Sequence, residues 1–123
     1  MSKQEYRPSG GWLAKFSHAF RGIGDGVRGQ SSFLVHFIML FAVLAAAAIF
    51  RLEATQWCLV LLCCGLVLSA ELFNSCLETM AKTIDRTENR DLGRALDMAS
   101  GAVLVASIFA AIVGLIVFLP QVI

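Results

Sequence analysis

Ser69-Ala-Glu-Leu-Phe-Asn-Ser-Cys-Leu-Glu78 is a polar stripe inside an apolar run, and its reading decides the fold. Glu71, Asn74 and Glu78 stand three and then four residues apart. On a helix that spacing brings all three onto one face. The surrounding run, Trp57 to Met80, exceeds the roughly 20 apolar residues that cross a bilayer. An ionisable group inside such a span costs about 2.5–3.5 kcal/mol on insertion scales. Two acids and an amide on one stripe therefore mark a functional site. The competing reading is a stripe that only joins helices, because Ser, Asn and Gln hydrogen-bond across membrane bundles.

Working outward, a run from Phe33 to Phe50 precedes this one, and a run from Arg94 to Leu119, ended by Pro120, follows it. The chain has 123 residues, 58% of them hydrophobic and 15% charged. A soluble domain has about 25% charged residues. The charge is also segregated between the apolar runs. The expectation is an all-α integral membrane protein with one domain over residues 1–123. Residues 1–11 are a flexible arm, and 33–50, 57–80 and 94–119 are three transmembrane helices. Residues 12–28 are an amphipathic surface helix, with Trp12, Phe16, Phe20, Ile23 and Val27 on one stripe. Aromatic anchors flanked by Lys15, Arg21 and Arg28 suit a helix lying in the membrane interface.

Gly22-Ile-Gly-Asp-Gly26 within it resembles a phosphate loop only superficially, since the Lys-Ser/Thr of a P-loop is missing. Cys58, Cys63, Cys64 and Cys76 form no Cys-x-x-Cys and read as small apolar fillers of helix contacts. His36 opens the first span. A lone His at such a place is more often an interfacial or packing residue than a ligand. The small-residue runs Ala45-Ala-Ala-Ala48 and Ala99-Ser-Gly-Ala102 suit close helix contacts, and oligomers are expected.

Lys3, Arg7, Lys15, Arg21 and Arg28 precede the first span, and Lys82, Arg86, Arg90 and Arg94 mark the second loop. Only Arg51 falls on the other side. The positive-inside rule puts the N-terminus and the 82–94 loop in the cytoplasm. Glu78 and Asp97 then lie near the cytosolic surface. Glu71 lies about 8 Å inside the apolar slab, at about 1.5 Å per residue.

Glu71-Leu-Phe-Asn-Ser-Cys-Leu-Glu78, followed by Arg94-Ala-Leu-Asp-Met-Ala-Ser100, resembles the prokaryotic diacylglycerol kinase family, which includes undecaprenol kinases. The family pattern is Glu-x-x-Asn-x-x-x-Glu, then Ala-Lys-Asp in the next helix. Ala19-Phe-Arg-Gly-Ile23 is similar to its surface helix, and the likeness runs from about Phe16 to Leu119. The resemblance implies a homotrimer in the bacterial inner membrane, with ATP as co-substrate and Mg²⁺ as cofactor. The implied reaction phosphorylates a lipid hydroxyl, diacylglycerol first and undecaprenol as the alternative. Glu71 matches the general base and Glu78 a magnesium ligand that also meets nucleotide. Thr87, Glu88, Asn89 and Asp97 match nucleotide contacts. Glu71, Asn74, Ser100 and His36 make up the implied lipid-substrate set.

Two positions depart from the pattern. Gln30 stands where the family commonly has a second metal-binding Glu, so the metal set here is Glu78 with Gln30. Gln offers a neutral oxygen but not the charge Mg²⁺ favours. Leu96 stands where the family has Lys. These losses keep open a catalytically silent member that binds nucleotide or lipid. A proton-coupled transporter built on Glu71 is a third class, but the gathering of Asn74, Glu78 and Asp97 toward one surface suits it poorly. Restoring both charges, Leu96→Lys with Gln30→Glu, is expected to raise ATP turnover in detergent micelles. Unchanged or lower turnover would mean that the site has its own arrangement.

Overall fold

The computed structural model describes residues 10–29, 31–84 and 89–123. Gln30, Thr87, Glu88 and most of the N-terminal arm lie outside the described residues. Every element among the described residues is helical: α1 (Trp12–Gly29), α2 (Ser31–Ile49), α3 (Ala54–Ile84) and α4 (Arg90–Val122). The last three are long and apolar enough to cross a membrane. With 31 residues, α3 reaches about 46 Å, well beyond a hydrocarbon slab of about 30 Å. Large apolar side chains such as Phe41, Leu62, Phe109 and Ile116 point outward. So large an exposed apolar surface is unfavourable in water and suited to lipid.

All three other helices pack on α3, α4 most extensively, whereas the backbones of α2 and α4 stay apart and the two meet through side chains in the cluster at the α2–α3 turn. The apolar core sits at the α2–α3 turn. Ala47, Leu52, Val60 and Val117 are buried there, with Val43, Trp57, Val113 and Phe118 packed around them. Phe50 and Phe118 add a tilted ring contact at 6.2 Å.

The turn is built by hydrogen bonds. Leu52 N donates to Ala47 O at 3.2 Å, and Arg51 N donates to Ala48 O at 3.3 Å. This pair is a Schellman motif, and its apolar contact is the buried Leu52 against Ala47. Arg51, at φ 53°, holds the left-handed position that Gly usually takes. Glu53 opens α3, and its N–H is met by Gln56 Oε1 at 3.0 Å, half of a capping box.

The expected spans fall on α2, α3 and α4; α2 and α3 differ from 33–50 and 57–80 by one to four residues at each end, and α4 differs in two ways. First, α4 begins at Arg90, before the expected Arg94, because the Asn89 side chain accepts from Asp91 N at 3.0 Å and Leu92 N at 3.2 Å. Such an Asn N-cap satisfies N–H groups of the first turn that have no partner within the helix, and so favours a start here. Second, Pro120 lies inside α4, which continues to Val122. So near the helix end the missing N–H costs a single bond, and Ile123 N still reaches Leu119 O at 3.2 Å.

On α1, Trp12, Phe16, Phe20 and Ile23 are exposed, and Lys15 Nζ stands 5.0 Å above the Trp12 ring. The helix approaches α3 closely at Gly26, where a Cβ would come within 2.7 Å of Leu72 Cδ2. Arg51→Gly is expected to raise stability by about 1 kcal/mol by removing a side chain from the left-handed region. Arg51→Val is expected to lower it. Unfolding by SDS titration in mixed micelles measures both.

Candidate active site

Ser32 and His36 stand one turn apart on α2, so both side chains leave the same face. They meet Glu71 of α3. Ser32 Oγ donates to Glu71 Oε1 at 2.5 Å, and His36 Nε2 lies 3.3 Å from Glu71 Oε2. Both carboxylate oxygens are thus engaged, on a residue only 3% exposed. Phe33, between the two, is the largest fully buried side chain and stacks obliquely on Phe37 at 6.1 Å. It keeps this face of α2 against the bundle. A buried carboxylate is tolerated only with such partners.

One turn along α3, Asn74 Nδ2 donates to Glu78 Oε1 at 3.2 Å. Asn74 is buried and Glu78 half-buried. Asn74 Oδ1 and Ser75 Oγ are buried without a hydrogen-bond partner. The stripe read from the sequence is therefore present, with its members turned to different tasks. Glu71 faces α2, whereas Asn74 leads on to Glu78.

The remaining expected residues are more scattered. Asp97 and Ser100 are exposed on α4. Among the described residues, no hydrogen bond or ion pair ties either of them to the Glu71 group. Asn89 spends its side-chain oxygen on the start of α4. Gln30, Thr87 and Glu88 lie outside the described residues. Ser32 escaped the sequence reading. Its only signal was its place one turn before His36.

His36 also lines a cleft of about 330 Å³ between α2, α3 and α4, which runs past Val43 and Val67 to Val60 and Phe118. Its walls are almost wholly apolar. Cys63 and Cys64 lie in them, while Cys58 and Cys76 are exposed rather than at a helix contact. His36 thus borders both the Glu71 carboxylate and this apolar slot.

The model of the family described as prokaryotic diacylglycerol kinase matches residues 17–118. The chain belongs to the prokaryotic diacylglycerol kinase family. Within the diacylglycerol kinase family it is similar to a protein named undecaprenol kinase from Bacillus subtilis. The two are 32% identical over 110 residues, 89% of either chain. It is likewise similar to a protein named diacylglycerol kinase from a Synechocystis species. That pair is 32% identical over 121 residues, 98% of this chain and 69% of the relative. The span matched by the diacylglycerol kinase model takes in Ser32, His36, Glu71, Asn74, Glu78 and Asp97. His36→Ala strips one oxygen of a buried carboxylate of its partner. It is expected to cost about 1–3 kcal/mol of stability, read as an earlier midpoint in SDS unfolding.

Proposed function

We propose that this chain is an ATP-dependent lipid kinase that transfers the γ-phosphate to the hydroxyl of a membrane lipid alcohol. The observation that carries the proposal is the buried Glu71 carboxylate held by Ser32 and by His36, the latter lining an apolar cleft. Membership of the family and relatives named for lipid kinases support it. Diacylglycerol, giving phosphatidic acid, is the first reading of the acceptor. Undecaprenol is the second, favoured by the Bacillus relative that is covered over 89% of its length. Both offer a primary hydroxyl and differ in the tail behind it.

An alcohol is a weak nucleophile until it sheds its proton, and a carboxylate within hydrogen-bond reach can take that proton. Glu71 serves as this base. His36 orients it from its other oxygen, and its burial keeps bulk water from competing for the phosphoryl group. The cleft beside His36 accepts part of the lipid tail, which brings the hydroxyl toward the carboxylate. Phosphoryl transfer otherwise rests on positioning and on neutralising phosphate charge.

The chain's oxygens suit a hard divalent cation such as Mg²⁺. Glu78 supplies a carboxylate, and Asn74 Oδ1 is a buried oxygen without a hydrogen-bond partner. Among the described residues no group of three or more His, Cys, Asp or Glu could hold a metal ion. A cation shared with the phosphates fits this sparse set, with Gln30 proposed as a further oxygen. Bound there, it would neutralise charge on the transferring phosphate. Arg90 and Arg94, exposed at the start of α4, are proposed to replace the Lys missing at Leu96. Asp97 with Thr87, Glu88 and Asn89 is proposed to meet the nucleotide, and Ser100 the lipid.

The proposed setting is the bacterial inner membrane, with the N-terminus and the 82–94 loop cytoplasmic under the positive-inside rule. There α1 would lie in the interface, its exposed Trp12, Phe16 and Phe20 among the headgroups. A homotrimer is proposed as the assembly that covers part of the outward apolar faces.

The test is purified protein in mixed micelles with labelled ATP, given diacylglycerol or undecaprenol in turn. Phosphate on either alcohol supports the proposal and names the acceptor. Nucleotide binding without transfer to either points instead to a silent member. Glu71→Gln is expected to lower turnover by about 10²–10⁴-fold with ATP binding retained. A fully active Gln variant would remove Glu71 as the base.

A further inference from the structure

With Glu71 read as the base, the Ser32 hydroxyl occupies the place a lipid hydroxyl would take. A base that deprotonates an alcohol accepts a hydrogen bond from it at about 2.6–3.2 Å, or closer when the acceptor is ionised. Ser32 Oγ makes that bond to Glu71 Oε1 at 2.5 Å. On the far oxygen, His36 Nε2 holds the carboxylate at 3.3 Å. A hydroxyl, a base within reach of it and a third group orienting the base are the parts of an activated nucleophile. The three come from positions as far apart as 32 and 71, and the bond between helices is partly buried rather than a surface accident.

The geometry points to Ser32 as a phosphorylation site of the protein itself, filled from a nucleoside triphosphate when no lipid alcohol is present. This rests on the reading of Glu71 as the base of a lipid kinase. In the step, Ser32 Oγ attacks the γ-phosphorus of ATP and Glu71 takes the hydroxyl proton. The bond from the γ-phosphorus to the β–γ bridging oxygen breaks, and ADP leaves. One Ser O–P bond forms as one phosphoanhydride bond is lost. The phosphoserine then places its charge beside the Glu71 carboxylate and fills the acceptor position. A chain so modified is blocked toward lipid. Lipid alcohol and Ser32 compete for one place, so abundant alcohol protects the serine and scarce alcohol exposes it.

Purified full-length protein in micelles without lipid alcohol is incubated with γ-labelled ATP and Mg²⁺, then digested and mapped by mass spectrometry. The same preparation is assayed with diacylglycerol and with undecaprenol. Phosphate on Ser32 is expected, falling at least about tenfold in Glu71→Gln and when saturating alcohol is added. Ser32→Thr is expected to carry phosphothreonine at the same position, which shows that the hydroxyl rather than the serine is required. Lipid phosphorylation with an unmodified Ser32 would overturn this inference and leave the kinase reading standing. Phosphate on Ser32 in protein that, given alcohol from the outset, phosphorylates neither lipid would sink the lipid reading and overturn the competition asserted here. Neither product overturns both. Label on Ser32 that persists undiminished in Glu71→Gln or under saturating alcohol would also overturn it, because the base and the acceptor position would then not be shared. Mapping the unsubstituted protein decides the first point even where a variant fails to fold.

Discussion

A carboxylate carried into an apolar bundle has to be met by polar partners, and the meeting of Glu71 with Ser32 and His36 sets the arrangement of this chain. It ties α2 to α3 near one end of α2. At the other end, the Ala47–Leu52 turn and the cluster with Val60 and Val117 join the same helices through apolar contact. Between these two clamps α2 is fixed on α3 with little direct packing elsewhere. The polar clamp therefore holds the fold and the candidate chemistry together. Loosening it would loosen both.

Along α3 the polar residues divide their work by the direction each one faces. Glu71 turns into α2 and is nearly sealed, while Glu78, two turns on, is half-buried and linked back by Asn74. A base for an alcohol benefits from dryness, and a ligand for a cation that keeps several waters benefits from access. Under the proposed reading of Glu71 as base and Glu78 as cation ligand, the burial of the two acids suits that division. The close approach of Gly26 to Leu72 brings α1 against α3 at the residue beside Glu71, so the first helix also bears on the sealed end.

Much of this was legible in the sequence because two periodicities carry it. Hydrophobic length gave three candidate spans, and the three-then-four spacing of Glu71, Asn74 and Glu78 gave the stripe. Other features depend on tertiary contact and leave no local trace. Ser32 is an ordinary Ser near the start of a helix until α3 brings a carboxylate to it. Arg51 occupies a position where the sequence signal would have been Gly, so the Schellman turn had no marker. The early start of α4 was readable from Asn89, but the surrounding charge suggested a loop instead. Pro120 was over-weighted, since a proline near the last turn forfeits a bond without ending the helix.

The wide spacing of the α2 and α4 backbones, which meet only through side chains, has its own consequence. The two are joined through α3 and through the cluster at the turn, so the slot between them is pinned at one end and unlatched along its length. Splaying the unpinned part breaks no hydrogen bond between α2 and α4 and parts only greasy walls from one another, which surrounding hydrocarbon refills at small cost. A guest with a bulky or branched trunk then meets a compliant sleeve, whereas its polar tip meets rigidly paired atoms. Under the proposed lipid-kinase reading, discrimination would fall on the tip and leave the trunk lightly policed.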